Sequence, residues 1–468
     1  MWLCFICSNS AWPAIESSHV VTPHLLSKVE HAAEFAPSVG WLGLMLLPLA
    51  FQFSDLHPTG RVLQMGIVFV IALLLFTADW VGLRIACQRR RILHEAQANR
   101  WRFVLGLGFA VPLAAHLYLM PRIPLLAILQ EPATSESAMT MLRLEAGKLM
   151  HVPSFVMYVF NWALVVFAPV YVVTSWLTGH KRAAVTGLLL ACAYAAATWA
   201  KLPIVLLVLT CLFAGCVVPG HWRRKLCTGA IGLVLAAILI LAAMFAAGSL
   251  QHLKGAGNHA QEGVLKDMRK DDPRRALTYG DNFRFESATP EDGGSHLTDL
   301  LEYVVYRGWL TPSDVSNRWY QFFTYAHKAP IGLRSLLRSH DEAGSAEQAP
   351  SRQVGLWAYR ARFPHRYWDN VNAYASFDAD AFARGGVVGV FIATMLFLVL
   401  RIVSAWLLTS HPVGQAAYAV LLCGLAILLP VASTQAILGA NGLFLIPVML
   451  CLIRWQSARR PKSHRFDT

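Results

Sequence analysis

A series of apolar runs separated by short polar connections limits the fold of this chain more than any other feature. Hydrophobic residues make up 56 % of the sequence and charged residues 14 %, whereas soluble globular domains carry about 25 % charged residues. A lipid-exposed backbone must satisfy its own hydrogen bonds, so such runs predict membrane-crossing helices. We expect about ten, at Val39–Phe53, Val62–Ala86, Phe103–Met120, Val152–Leu177, Ala184–Ala200, Leu202–Val218, Gly229–Leu250, Gly385–Leu407, Ala416–Val431 and Ile437–Ile453.

The basic residues in excess of acidic ones lie mainly in short connections that fall on one side of the membrane in this prediction. They occur in residues 88–102, 180–182, 221–225 and 454–460. Short cytoplasmic loops carry an excess of lysine and arginine, so this side is predicted to be cytoplasmic. The same pattern accounts for the net charge of +13 without a nucleic-acid partner.

These boundaries predict an all-α polytopic membrane protein with one large outer loop of short helices. Residues 1–38 form a cytoplasmic tail, and residues 39–250 form a membrane domain with the first seven helices. Residues 251–384 form the outer loop. Residues 385–454 hold the last three helices, and residues 455–468 form a basic cytoplasmic tail.

Three clusters of the outer loop indicate a carbohydrate ligand that carries phosphate. They are residues 303–309, 317–328 and 365–380, rich in Tyr, Trp, Arg, Asn, His and Asp. Aromatic rings stack on sugar faces, and arginine binds phosphate oxygens through its planar, bidentate fork. These types also occur in any loop that touches a membrane surface, so that plainer interpretation stays open.

A few charged residues lie in or beside the apolar runs, where a charge is costly without a partner. We predict that Asp79 has a structural role and pairs with Arg84, about one helical turn away. Lys201 and Pro203 divide a run that is too long for one span, which leaves Lys201 facing either a pocket or the outer headgroups. Glu145 and Lys148 share a helical face by their spacing. The nine cysteines show no disulfide framework or zinc spacing.

The chain resembles the O-antigen or oligosaccharide repeat-unit polymerases of the Wzy type over about residues 40 to 455. Four stretches carry the resemblance: residues 143–148 (Arg-x-Glu-x-x-Lys), the break at Lys201, residues 317–325, and residues 372–389. The last stretch is similar to the Asp…Phe…Gly-x-x-Gly sequence with which a late helix of that family begins.

The resemblance implies a GT-C-like fold in a bacterial inner membrane, with a periplasmic active face. The reaction would transfer a glycan from undecaprenyl diphosphate onto the next lipid-linked oligosaccharide repeat unit. Candidates for clamping the diphosphate or binding substrate are Arg143, Lys148, Lys201, Arg307, Arg318, Tyr320 and Tyr325. Candidates for the general base are, in order of preference, Asp378, Asp380, Glu145 and His327.

No cofactor or metal is expected, because arginines can neutralise the diphosphate; a divalent ion at Asp378 and Asp380 is an alternative. The partners implied are undecaprenyl-diphosphate-linked oligosaccharide and membrane lipid, and the resemblance leaves room for a chain-length regulator. Three other functions stay open from the sequence. They are an O-antigen ligase with lipid A core as acceptor, a polysaccharide-related transporter or flippase, and a structural subunit of an envelope complex.

Overall fold

The computed structural model describes residues 32–51, 58–89, 98–121, 123, 124, 126, 150, 152–198, 201–217, 311–326, 350–355 and 375–458. Its helices are α1 (Ala36–Phe51), α2 (Pro58–Arg89), α3 (Ala98–Leu119), α4 (Ser154–Trp162, Ala163–Phe167 and Ala168–Leu177 in succession), α5 (Lys181–Ala197), α6 (Lys201–Val217), α7 (Thr311–Gln321, continued by Phe322–Ala326), α8 (Pro350–Gly355), α9 (Phe377–Leu407), α10 (Pro412–Leu428) and α11 (Leu445–Ala458). A π-helical segment, Ala436–Ala440, lies between α10 and α11.

The all-α prediction is confirmed for these residues, which are nearly all helical and include no strand. Four of their helices are long and apolar enough to cross a membrane: Gly60–Gln88, Asn99–Leu119, Phe155–Leu177 and Phe377–Leu407. Shorter apolar helices occur at Ala36–Phe51, Pro412–Leu428 and Leu445–Gln456. The predicted span Gly229–Leu250 lies outside the described residues, as does most of the loop 251–384.

Two of the helices contain a π-helical turn that a proline explains. In α1 the turn covers Leu42–Leu46 and Pro48 follows it; in α4 it covers Ala163–Phe167 and Pro169 follows it. Proline lacks the backbone N–H that would bond to the carbonyl four residues earlier, so the preceding turn widens locally.

Helix α10 lies at the centre of the described bundle. Its residues are almost all buried, and it packs against α1, α4 and α6. The backbone of α1 approaches it closely at Gly40, where an added Cβ would lie 2.9 Å from the carbonyl carbon of Ala426. A helix that is apolar all round fits this enclosed position, because none of its faces meets water.

Helix α9 reverses direction near its beginning. Gly386 has φ 59° and ψ −149°, a conformation that is essentially restricted to glycine. The ring centroids of Phe377 and Phe397 lie 5.1 Å apart, whereas a straight helix would separate these positions by about 30 Å. Residues 377–385, here called α9a, therefore fold back along residues 387–407, here called α9b.

The beginning of α9a is anchored inside the bundle. The N–H of Phe377 donates to the carbonyl of Leu429 at the end of α10, with an N–O distance of 3.1 Å. The ring of Phe377 also packs on Trp41 of α1, at 5.2 Å between centroids. The sequence predicts a helix that starts at Gly385; the helix starts earlier because Gly386 lets the acidic segment before it form a separate helical piece.

Buried charges connect α1, α2, α9 and α10 at the far end of α9b. The Arg401 guanidinium donates to Glu34 Oε2 at 2.7 Å and to Asp79 Oδ1 at 3.1 Å. The Tyr418 hydroxyl donates to Glu34 Oε2 at 2.7 Å. Gly82 makes room for the guanidinium, since an added Cβ would lie 2.6 Å from Arg401 Cζ.

The predicted pair of Asp79 with Arg84 is wrong, although the structural role of Asp79 is consistent with its contacts. Asp79 is fully buried and faces Arg401. Arg84 lies on the exposed side of α2, with its guanidinium over the ring of Trp80 at 5.2 Å. Sequence proximity favoured the local partner, while the solvation cost of a buried carboxylate requires the partner that is buried with it.

Candidate functional site

The insert helix α7 packs directly on two of the apolar helices, α2 and α9. Gly60 at the start of α2 permits this approach, because an added Cβ would lie 3.2 Å from the backbone nitrogen of Gln321. Gln64 then connects the two helices: its Oε1 accepts from Asn317 at 2.9 Å, and its Nε2 donates to the carbonyl of Ser313 at 3.1 Å. Gln64 thus satisfies two polar groups of α7 inside the protein.

A small hydrophobic cluster holds α7 and α8 on α9a. Small residues on α9a (Ala379 and Ala383) meet larger side chains of the insert, and the cluster consists of Val315, Trp319, Tyr320, Phe323, Val354, Ala375, Ala379 and Ala383. Tyr320 also packs on Phe382, at 4.8 Å between ring centroids. Burying each large apolar side chain contributes about 1.5–3 kcal/mol, so α7 is an integral part of the described fold.

The carboxylate of Asp378 lies at the centre of the contact between α7 and α9a. The Tyr320 hydroxyl donates to its Oδ2 at 2.7 Å, and the Ser376 hydroxyl donates to its Oδ1. Ser376 is in turn bonded to Ser316 of α7, at 2.8 Å between hydroxyl oxygens. Asp378 occupies the first turn of α9a, where the helix dipole favours negative charge.

Tyr320 keeps its proton in this environment. Burial raises the pKa of its hydroxyl well above the ordinary value, and the charge of Asp378 and the hydrogen bond to it raise the pKa further. The phenol therefore remains a hydrogen-bond donor to Asp378 across the physiological pH range.

Two arginine–carboxylate pairs flank Asp378. On α9a, Arg384 Nε donates to both carboxylate oxygens of Asp380, each at 3.0 Å. On α7, Arg318 Nε lies 3.5 Å from Asp314 Oδ2. Both pairs have the i,i+4 spacing that places side chains on one helical face. Together with Tyr320, Ser316, Ser376 and Asp378, these four residues are called the polar junction below.

The polar junction is closed in this conformation. Asp378 and Tyr320 are fully buried, Asp380 is 1 % exposed, Arg384 is 3 % exposed and Arg318 is 7 % exposed. Chemically, the junction offers a carboxylate that can accept a proton and two guanidinium groups that can bind an anion. A substrate would reach them only if α7 and α9a separated.

Four of the predicted site residues meet here: Asp378, Asp380, Arg318 and Tyr320. Lys201 is the first residue of α6, and α5 ends at Ala197, so the helix break predicted at Lys201 is present. Tyr325 belongs to the helical continuation of α7. The other candidates, Arg143, Glu145, Lys148, Arg307 and His327, lie outside the described residues.

Sequence reasoning missed several members of this site. Arg384 stood in the motif of residues 372–389, and its i,i+4 spacing from Asp380 was a readable signal for an ion pair. Ser316, Ser376 and Gln64 gave no such signal, because their roles depend on the reversal of α9 and on the docking of α7. Within the described residues, no group of three His, Cys, Asp or Glu side chains is arranged to hold a metal ion.

Comparison with known proteins gives no relative on which a function can be based. No family model, no curated protein and no solved structure matches this chain.

Proposed function

We propose that this protein is a bacterial inner-membrane glycosyltransferase that extends undecaprenyl-diphosphate-linked oligosaccharide at the periplasmic face. One observation carries the proposal: an insert helix and a reversed helical segment bring a hydrogen-bonded carboxylate together with two arginines, in contact with apolar helices. This combination suits a lipid-linked glycan, whose phosphate and reacting sugar stay beside the membrane surface.

Asp378 is the proposed general base. The hydroxyl oxygen of the acceptor sugar attacks the anomeric carbon of the donor, whose bond to the diphosphate oxygen breaks. The hydroxyl proton passes to Asp378, and undecaprenyl diphosphate leaves with the bonding electrons. Ser376, which directly precedes α9a, orients the carboxylate through the hydrogen bond that it donates, and the Tyr320 hydroxyl holds the carboxylate in the closed conformation.

Arg318 and Arg384 are the proposed diphosphate ligands. In the closed conformation their charges are balanced by Asp314 and Asp380. Movement of α7 away from α9a would separate the two halves of the junction and admit a diphosphate, which offers guanidinium groups a bidentate acceptor in place of the carboxylates. In this proposal the closed junction is the resting state of the enzyme.

The test is glycan extension by the purified full-length protein in liposomes that contain undecaprenyl-diphosphate-linked oligosaccharide. Asp378→Asn should reduce extension by at least about a hundredfold, the usual contribution of a general base. Thr324→Ala, on the exposed side of the α7 continuation, is the matched control and should extend glycan normally. Extension by Asp378→Asn at the wild-type rate, with equal protein abundance, would refute the role of Asp378.

Glycan profiles of a deletion strain separate the polymerase from the ligase. Loss of a polymerase leaves a single repeat unit on the core, whereas loss of a ligase leaves bare core with chains on the lipid carrier. A normal ladder would exclude both. A reporter fused near Ser345 should be periplasmic, and a cytosolic reporter would reverse the proposed orientation.

A transporter of lipid-linked saccharide is the second candidate, favoured by the reversal of α9 and the buried ion pairs of Arg401. Interrupted helices and charges buried among apolar helices are typical of transport pathways. In the same liposomes, a transporter would move the lipid-linked saccharide between leaflets without extending it.

A further inference from the structure

Helices α3 and α4 enclose a groove near the first turns of α3. Its volume is about 290 Å³, and it is lined by Asn99, Arg102, Phe103, Gly106, Leu107 and Tyr171. The residues of the groove are far along the chain from those of the polar junction, and no role proposed above involves them.

The floor of the groove is the ring of Tyr171. Two glycines, which have no side chain, leave the space that the ring occupies. An added Cβ at Gly106 of α3 would lie 3.3 Å from Tyr171 Cε2, and one at Gly187 of α5 would lie 2.7 Å from Cε1. The ring thus fills the space that side chains at these positions would otherwise occupy. Its position is fixed by packing, so the groove is a built feature of three helices.

Arg102 provides a positive charge at one end of the groove. Its Nη1 atom is enclosed and has no hydrogen-bond partner among the described residues. Leaving an enclosed donor of a charged group unsatisfied costs about 1–3 kcal/mol or more. An anionic ligand in the groove would remove this cost by accepting that hydrogen bond.

The side of the groove beyond Arg102 is apolar and open. Phe103 is 68 % exposed and Leu107 is 47 % exposed, and both belong to Asn99–Leu119, which is apolar enough to cross a membrane. From the helix end inward, the groove therefore presents a cation and then apolar surface. A phospholipid has the same order of groups, with its phosphate followed by its acyl chains.

The surrounding charge favours an anionic headgroup. The hydrogen bond between Trp101 and Gln456, and that between Arg454 and Trp406, join the start of α3 to the ends of α11 and α9. Described basic residues at these helix ends and at the adjoining α4–α5 turn are Arg100, Lys181, Arg182 and Arg454. Basic pockets between membrane helices bind anionic lipid headgroups.

We propose that this groove is a binding site for one anionic phospholipid of the phosphatidylglycerol type. Its phosphate accepts from Arg102 and Asn99, and one acyl chain runs along Phe103 and Leu107 over the ring of Tyr171. The site is independent of the proposed glycosyl transfer, since it shares no residue with the polar junction.

The test measures lipid retained by the purified full-length protein, by native mass spectrometry from nanodiscs of phosphatidylcholine with or without phosphatidylglycerol. We expect one phosphatidylglycerol per chain in preference to phosphatidylcholine. Arg102→Gln should reduce its retention by about fivefold, the contribution of one basic residue at an anionic surface. Arg100→Gln, an exposed neighbour outside the groove, is the matched control and should lose clearly less of the lipid, because Arg100 adds only to the surrounding charge.

Two further arms make the result decisive. Leu107→Trp fills the apolar part and keeps Arg102, so it should also lose the lipid while its unfolding temperature in pure phosphatidylcholine stays that of the wild type. Equal losses in Arg100→Gln and Arg102→Gln would indicate diffuse attraction and overturn the proposal. Displacement of the lipid by equimolar glycerol phosphate would also overturn it, because the groove would then bind only the anion.

Discussion

At the scale of single residues, Arg401 shows how this protein accommodates charge among apolar helices. The guanidinium is 1 % exposed and contacts Glu34, Asp79 and Tyr418. These partners come from three different helical regions, so one side chain fixes the relative positions of several parts of the bundle. A buried ion pair of this kind adds little net stability, but it is costly to break.

We expect Arg401→Met to lower the free energy of unfolding by about 3–5 kcal/mol, because it leaves two carboxylates buried without their cation. Thermal unfolding of the purified protein in detergent measures this loss. Arg454→Met is the matched control: Arg454 lies over Trp406 at a helix end, and its substitution should cost about 1 kcal/mol or less. Equal effects of both substitutions would argue against the buried network.

Tyr320→Phe should lower stability by about 1–3 kcal/mol at neutral pH, since it leaves Asp378 without one of its donors. The difference from the wild type should narrow above about pH 10, where an unfolded chain loses the tyrosine proton. The folded protein retains that proton because the pKa of Tyr320 is raised. The stability gained from proton retention is therefore complete below about pH 10 and declines as pH rises.

Unfolding temperatures of the wild type and Tyr320→Phe between pH 7 and pH 11 test this dependence. Parallel curves over that whole range would show that Tyr320 titrates as it does in the unfolded chain.

At the scale of elements, the reversal at Gly386 determines what α9 can do. As a straight helix, α9 would carry Asp378 and Asp380 away from the bundle. Folded back, α9a brings both beside α7 and ties its first N–H to Leu429. A single backbone conformation thus creates the polar junction.

Gly386→Ala should destabilise the protein by about 1–3 kcal/mol, because alanine rarely adopts φ 59° with ψ −149°. Gly385→Ala, one position earlier and without a positive φ, is the control and should be milder. Limited proteolysis of the insert and thermal unfolding measure the difference. If Gly385→Ala were the more damaging change, the turn would not depend on residue 386.

The sequence predicted the helical elements better than their arrangement. The apolar runs identified α2, α3 and α4 to within a few residues, because span length and hydropathy are local properties. The position of Asp378 and Asp380 was missed, since a Gly-Gly pair signals a possible bend but not its direction. Arg401 was overlooked inside an apolar run, although an ionisable residue there is itself a signal.

At the scale of the whole molecule, the described part of the insert is joined to the apolar helices and is not a separate layer. α7 is buried against α2 and α9a through Gly60, Gln64 and the cluster around Trp319. The insert and the helices that carry it therefore share one core. Opening the polar junction would require this shared contact to separate.

Gly60→Leu should displace α7, because the new side chain would enter the space beside Gln321 and Asn317. We expect faster proteolysis within residues 311–326 and a loss of about 1–3 kcal/mol from overpacking. Gly66→Leu, on the same helix with nothing within 4 Å of its Cβ position, is the matched control. Equal protease sensitivity of the two variants would show that α7 does not rest on Gly60.

The close contact between Gly82 and the Arg401 guanidinium has a consequence for how this protein can evolve. A lineage that keeps arginine at 401 has no room for a side chain at 82, and a lineage that gains one there must first give up the arginine. Losing the arginine would in turn leave the acids at 34 and 79 buried without the cation that pairs with them. A substitution at one of these four positions should therefore be tolerated only together with changes at the others. Proteins that descend from this chain should keep or lose the four residues as a set.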